Sequence, residues 1–119
     1  MFGKRVLGTG CGPIGTLASV AARAAGAAEI VATDLSENAL AFARKVGVDR
    51  AIDMSKDGDA LTEYAAGKGT FDVLCECSGA APARASGIAA MRPRGIVMQL
   101  GLGGDMMVPV QALTAKELD

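Results

Sequence analysis

The 119-residue sequence contains no histidine and no tryptophan, and it has only three phenylalanines, one tyrosine and three cysteines. Half of the residues are hydrophobic but only 3% are aromatic, so a core has to be assembled from Ala, Val, Leu, Ile and Met. Alanine-rich helices on a β-branched sheet fit that description. No apolar run reaches the roughly 18 residues that suggest a membrane span, and no signal-peptide pattern opens the chain. The net charge of −1 gives no reason to expect nucleic acid or an anionic membrane as a partner. Three cysteines, an odd number without framework spacing, argue against a disulfide scaffold and fit a reducing, cytoplasmic setting. Cys75 and Cys77 share one face of an expected strand. Without a nearby third ligand or any histidine they are expected to be small buried hydrophobes, not a metal or redox pair. The length corresponds to one domain that can bury a core.

Glycine, by contrast, is plentiful, with 16 residues, and three of them organise the chain. Val6-Leu7-Gly8-Thr9-Gly10-Cys11-Gly12-Pro13-Ile14-Gly15 is a short apolar run ending in G-x-G-x-x-G, followed at once by an alanine-rich helical pattern. In a dinucleotide-binding turn these glycines have separate tasks. Gly10 allows the tight turn out of the strand, Gly12 lets a pyrophosphate approach the backbone, and Gly15 lets the helix pack closely on the strand. The helix start offers unpaired N–H groups and the positive end of its dipole to phosphates. Pro13 suits a first-turn position, where no N–H donor is needed. Cys11 is expected to be a small filler inside the turn. Glycine spacing alone is a weak signal in a glycine-rich chain. A second apolar run, Glu29-Ile30-Val31-Ala32-Thr33-Asp34, makes it specific, because it ends in an acid at the offset of a ribose-binding aspartate.

The remaining pattern alternates strand and helix. A first helix is expected to about residue 25, with Leu17, Val20, Ala21 and Ala24 at helical spacing and Gly26 as its stop. Ser36 is placed to cap a second helix over 37–46, with Leu40, Ala43 and Val46 inward and Gly47 beyond it. Residues 50–53 form a short strand and 60–66 a weak helix that Asp59 is placed to cap. Residues 71–77 form a buried strand closed by Ser78-Gly79, and Pro82 begins a helix reaching Met91. Pro93-Arg94-Gly95 is expected to turn the chain into a fifth strand over 96–100, followed by a glycine-rich stretch from Gly101. These alternations over short loops predict an α/β doubly wound parallel sheet with right-handed crossovers, truncated before its sixth strand.

The pieces Gly3-Lys4-Arg5-Val6-Leu7, Gly10-Cys11-Gly12-Pro13-Ile14-Gly15, Val31-Ala32-Thr33-Asp34-Leu35, Phe71-Asp72-Val73, Cys77-Ser78-Gly79 and Gly95-Ile96-Val97 with Gly101 resemble the zinc-dependent medium-chain dehydrogenase/reductase family. The likeness lies in its polyol and sugar-acid branch, with sorbitol, threonine and idonate dehydrogenases. Residues 95–101 and 113–119 are most similar to the L-idonate 5-dehydrogenase group. The resemblance implies a Rossmann domain, residues 1–119, that binds NAD. It also implies a separate catalytic domain elsewhere, carrying the zinc and the proton relay, and a reaction in which hydride passes between a secondary alcohol and NAD. By position it implies Gly10, Gly12, Pro13, Ile14 and Gly15 at the pyrophosphate turn, Asp34 at the ribose and Leu35 beside adenine. Ser78 and Gly79 match the edge of the adenosine pocket, and Gly101 with Leu102 the nicotinamide side. No catalytic or metal-binding residue is assigned to this stretch, and Glu76 is expected to be a satisfied polar residue, not a general base. Asp34 without an adjacent arginine favours NAD over NADP, since a 2′-phosphate would face a repulsion on the order of several kcal/mol. Gly8 departs from the family's β-branched residue and is expected to weaken its strand slightly.

Two other functions are compatible with parts of the pattern. One is an S-adenosylmethionine-dependent methyltransferase, whose loop usually has glycine where Ile14 stands. The other is an NAD-sensing module without chemistry of its own. Finally, Met106-Met107-Val108-Pro109-Val110 is expected to form an extended apolar edge through which copies associate, a homo-oligomer that the family resemblance also implies.

Overall fold

The computed structural model describes residues 1–102 and 108–119. The elements follow as β1 (Arg5–Thr9), α1 (Pro13–Ala24), β2 (Glu29–Asp34), α2 (Glu37–Lys45) and β3 (Arg50–Asp53). After these come α3 (Thr62–Ala65), β4 (Phe71–Glu76), α4 (Ala81–Ala89), β5 (Met91–Gln99) and α5 (Val110–Ala115). The strands form one parallel sheet in the order β3-β2-β1-β4-β5. This is the doubly wound Rossmann-like arrangement that the alternating pattern predicts. The chain winds outward from β1 on one side, then returns to place β4 on the other.

Period-two alternation explains how the sheet is covered on both faces. Val6, Ile30 and Val73 point to one side, where they pack with Ala22 and Ala27; Ala32 on that side meets Leu40 and Ala43 of α2. Their neighbours Leu7, Val31 and Leu74 point to the other side and pack with Ile52, Leu61, Phe71, Ile88 and Met91. Strands buried on both faces carry continuous apolar runs, which is why β4 reads as one.

The first helix has a different inner face from the one its apolar spacing predicts. Leu17 is 65% exposed, and Val20, Ala21 and Ala24 are exposed too. The buried stripe is Gly15, Thr16, Ser19 and Ala22. Close approach to β1 is the reason: a Cβ at Gly8 would lie 4.0 Å from Ser19 Oγ, so small residues face each other across the contact. Gly8 therefore has a packing partner on α1, and the weakening expected of it is set beside a close helix–strand fit.

Further boundaries differ. The helix before β5 ends at Ala89, and β5 begins at Met91, not Ile96. Pro93-Arg94-Gly95 do not turn the chain into the strand; they form an irregularity inside it. Phe71 pairs with Met91 and Val73 with Ile96, and Arg94 adopts a φ of 64°. The weak helix of 60–66 shrinks to the single turn Thr62–Ala65, with Leu61 at its N-cap in place of Asp59. Within the expected edge segment, Met106 and Met107 lie outside the described residues. Val110 does not end an extended piece; it starts α5, with Pro109 at the N-cap.

Candidate functional site

The order of the sheet reverses between β1 and β4, and in such sheets the crevice outside the carboxyl ends of the strands at that point is the usual place for a ligand. The glycine turn forms one wall. Gly10 has a φ of +92°, and a Cβ on it would come 2.8 Å from the Ser78 amide nitrogen. Gly10 thus needs to be glycine for both backbone and contact reasons. A Cβ on Gly15 would collide with the Gly10 carbonyl oxygen and lie 2.8 Å from the Gly10 carbonyl carbon. Gly12 behaves differently. Its φ is −68°, which any residue adopts, and nothing of the chain lies within 4 Å of a Cβ built there. Neither strain nor packing requires glycine at position 12. It also caps α1 without a side-chain acceptor, with Pro13 in the first turn. Ile14 is exposed on that turn.

Asp34, at the end of β2, is tied to this turn. Its Oδ2 accepts from the Cys11 amide at 2.7 Å, and its Oδ1 accepts from the amides of Leu35 at 2.7 Å and Ser36 at 2.9 Å. Spacing predicts the position of the aspartate but not its grip on the glycine turn, because the Cys11 amide is a backbone donor with no side-chain signature. Leu35 follows, exposed. Ser36 caps α2 as expected, accepting from the Ala39 amide at 3.4 Å. Beside the turn, an open groove of about 560 Å³ runs between α1 and α2, lined by Cys11, Gly12, Pro13, Thr16, Leu17, Asn38, Ala39 and Phe42.

The opposite wall comes from the ends of β4 and β5. Gly79 has a φ of +70°, and a Cβ there would sit 2.6 Å from the Leu102 carbonyl oxygen. Gly101 in turn lies against Gly79 and Glu76, so Ser78-Gly79 and Gly101-Leu102 pack directly on each other. Leu102 is 96% exposed. The structure thus sets Gly10 against both Gly15 and Ser78, joins Asp34 to Cys11, and sets Gly79 against Gly101 and Leu102.

Beneath these turns lies Glu76, without solvent exposure. Burial alone would push its carboxyl up. Hydrogen bonds from the Ser78 hydroxyl, the Gln99 amide and the backbone amides of Ser78 and Gly79 outweigh that and hold it below the usual glutamate range. Glu76 is a satisfied polar residue, as its position suggested. Asp49 is also lowered: burial opposes, and the Ile30 amide and Arg23 prevail. Both groups are more acidic in the folded chain than in the unfolded one. Their contribution is complete above the ordinary carboxylate range and is lost as pH falls through the folded values. Urea unfolding followed by circular dichroism is expected to give a constant midpoint from about pH 7 to about pH 5 and a decline below it. Glu76→Gln should lower the plateau and make the decline shallower. An unchanged decline in that variant would remove Glu76 from the acid transition.

All three thiols are free. Burial, then the charges of Asp34 and Cys77, push Cys11 up to about 12, with Arg44 opposing. Burial, Cys75 and Glu76 push Cys77 up to about 11, and burial raises Cys75. All are protonated at neutral pH and are therefore poor nucleophiles and metal ligands. Among the described residues, no three His, Cys, Asp or Glu side chains are grouped to hold a metal ion. No helix among them is long and apolar enough to cross a membrane.

Comparison with known proteins gives a consistent result. The family described as zinc-binding dehydrogenase matches residues 13–119. The L-threonine 3-dehydrogenase of Enterobacter sp. (strain 638) is 42% identical over 104 residues, covering 86% of this chain and 30% of that protein. The L-idonate 5-dehydrogenase (NAD(P)(+)) of Escherichia coli (strain K12) is 38% identical over 117 residues, covering 98% of this chain and 34% of the relative. The crystal structure of L-idonate 5-dehydrogenase from Escherichia coli superposes with a TM-score of 0.92 at 37% identity, over 98% of this chain and 34% of that one. The chain spans about a third of the length of the relatives it matches.

Proposed function

As the chain belongs to the zinc-binding dehydrogenase family, we propose that residues 1–119 are the NAD-binding domain of a larger alcohol dehydrogenase of the polyol and sugar-acid kind. The observation that carries this reading is Gly12. The chain itself leaves open space where its side chain would be, at the uncapped start of a helix. A phosphate group fits that place by charge and by size. Asp34 supplies the ribose acceptor, with Leu35 beside the base. The turns of Ser78-Gly79 and Gly101-Leu102 form the facing wall.

In this proposal the nicotinamide supplies hydride transfer to or from a secondary alcohol, and L-idonate is the substrate that the likeness suggests first. The zinc implied by the family belongs to sequence outside this stretch. The protein's own residues here bind and orient. Asp34 favours NAD, since a 2′-phosphate would meet its carboxylate. Arg44, whose charge reaches Cys11, is engaged with Glu37 at 2.7 Å. The Escherichia coli relative is named for both NAD and NADP, and the Asp34→Ala comparison below measures the preference of this chain. Three free thiols suit a reducing cytoplasm. Association of copies near residues 106–110 belongs to the same proposal, supported by the exposure of Val108 and Val110. Nothing in the family match favours a methyltransferase.

Titration calorimetry tests the cofactor reading. The chain is expected to bind NAD and adenosine diphosphate ribose with dissociation constants on the order of a millimolar or below, and to turn over no polyol by itself. Asp34→Ala should weaken NAD roughly ten- to hundredfold, from the loss of a hydrogen bond to a charged group, while narrowing the gap to NADP. No heat with several-millimolar NAD would overturn the cofactor reading. An unchanged preference in the variant would place the ribose acceptor elsewhere.

A further inference from the structure

We propose that Glu76 is a positioning residue whose buried carboxylate sets the two turns that wall the crevice. Its Oε1 accepts from Thr9 Oγ1 at 3.1 Å, from the Ser78 amide at 2.9 Å, from the Gly79 amide at 3.2 Å and from the Ser78 hydroxyl. Its Oε2 accepts from the Gly79 amide at 3.1 Å and from Gln99 Nε2 at 2.6 Å. Its backbone carbonyl accepts from the amides of Leu100 and Gly101, both at 2.8 Å. One residue thereby joins the carboxyl ends of β1, β4 and β5.

The chemistry of the donors argues against an incidental core carboxylate. A buried charge is tolerated only when it is fully hydrogen-bonded, and an apolar residue of similar volume often stabilises a fold equally well. Apart from Thr9, every donor that satisfies Glu76 comes from a crevice turn or from the strand end leading into one. The orientation of Gln99 is also set. Arg84, 2% exposed, donates from Nε to Gln99 Oε1 at 3.1 Å, which leaves Gln99 Nε2 to face Glu76. The same Nε2 reaches the Gly101 carbonyl at 3.3 Å. The Gln99 amide thus bridges the positive guanidinium of Arg84 and the negative carboxylate of Glu76. A leucine at position 76 would fill the space and release the loops.

The consequence for cofactor affinity rests on the proposal that the crevice binds a dinucleotide, so the test has one arm that does not. Amide hydrogen exchange by NMR, on the free 119-residue chain, compares wild type with Glu76→Gln. That variant keeps the shape but turns an amide group toward N–H donors. Exchange at Ser78, Gly79 and Gly101 is expected to accelerate roughly tenfold or more, while amides paired between β2 and β3 keep their rates. The second arm is calorimetry with adenosine diphosphate ribose, where affinity should fall roughly tenfold with circular dichroism retained. If Glu76→Gln does not fold, Gln99→Leu takes its place. It leaves the Ser78 and Gly79 donors on Glu76 and should accelerate exchange at Gly101 but not at Ser78. Unchanged exchange at all three amides overturns the positioning role. Wild type that binds no adenosine diphosphate ribose overturns the cofactor reading, and the exchange arm still decides the role of Glu76.

Discussion

Gly15→Ala is expected to destabilise the chain by roughly 3 kcal/mol or more, the upper range for forced overpacking. Helix propensity alone predicts the opposite sign, because alanine is favoured over glycine in a helix by about 1 kcal/mol. Tertiary contact decides it. The added methyl would collide with the Gly10 carbonyl oxygen, which is backbone and cannot rotate away, and would lie 3.6 Å from Cys77 Cβ. The helix could make room only by lifting from β1, which would uncover the small residues Thr16, Ser19 and Ala22 that seat it. Urea denaturation is the measurement, and total stabilities of domains this size are about 5–15 kcal/mol. A midpoint equal to or above that of the wild type would mean that α1 slides freely, and the close-packing role of Gly15 would be lost.

Gly12→Val, three residues earlier in the same motif, is expected to do the reverse. Position 12 has an ordinary φ and open space around a Cβ. The fold should lose no more than about 1 kcal/mol, the difference between a glycine N-cap and a poor one. Binding of NAD, by contrast, is expected to become undetectable by calorimetry, since the branched side chain fills the place proposed for the pyrophosphate. Circular dichroism and thermal melting establish that the variant is folded. Wild-type affinity in a folded Gly12→Val chain would refute the phosphate role of the turn. The pair of variants separates a glycine required by the fold from the glycine proposed to face the pyrophosphate, which the sequence motif treats alike.

Much of the fold was legible because strands buried on both faces and helices with glycine stops carry local signals. The runs at 29–34 and 71–76 needed only their apolar continuity, and Gly26 and Gly47, with φ of 93° and 98°, ended their helices as glycines do. The inner face of α1 was not legible. Apolar spacing favours Leu17 and Val20, but the surface they would face is a strand approached too closely for large side chains. The extent of β5 was hidden because Pro93-Arg94-Gly95 reads as a turn. In three dimensions the same residues bulge without leaving the sheet. The start of α5 at Val110 was missed for a related reason: short apolar segments carry no clear period, and Pro109 fits an edge strand or a helix start equally well.

At the site the division is similar. The glycine turn and the acid ending β2 were evident from residue type and spacing, since a tight turn, a close approach and a carboxylate at a strand end are all properties of single positions. Whether Gly12 is needed by the chain or left open by it is a question about neighbours distant in sequence, and only the folded structure answers it. The same holds for Asp34, one of whose partners is a backbone amide 23 residues away, and for Glu76, whose partners come from three strand ends. Local chemistry determined the elements and the candidate residues. The roles of those residues were decided by long-range contacts, because backbone donors and the space around a missing Cβ leave no mark on the sequence.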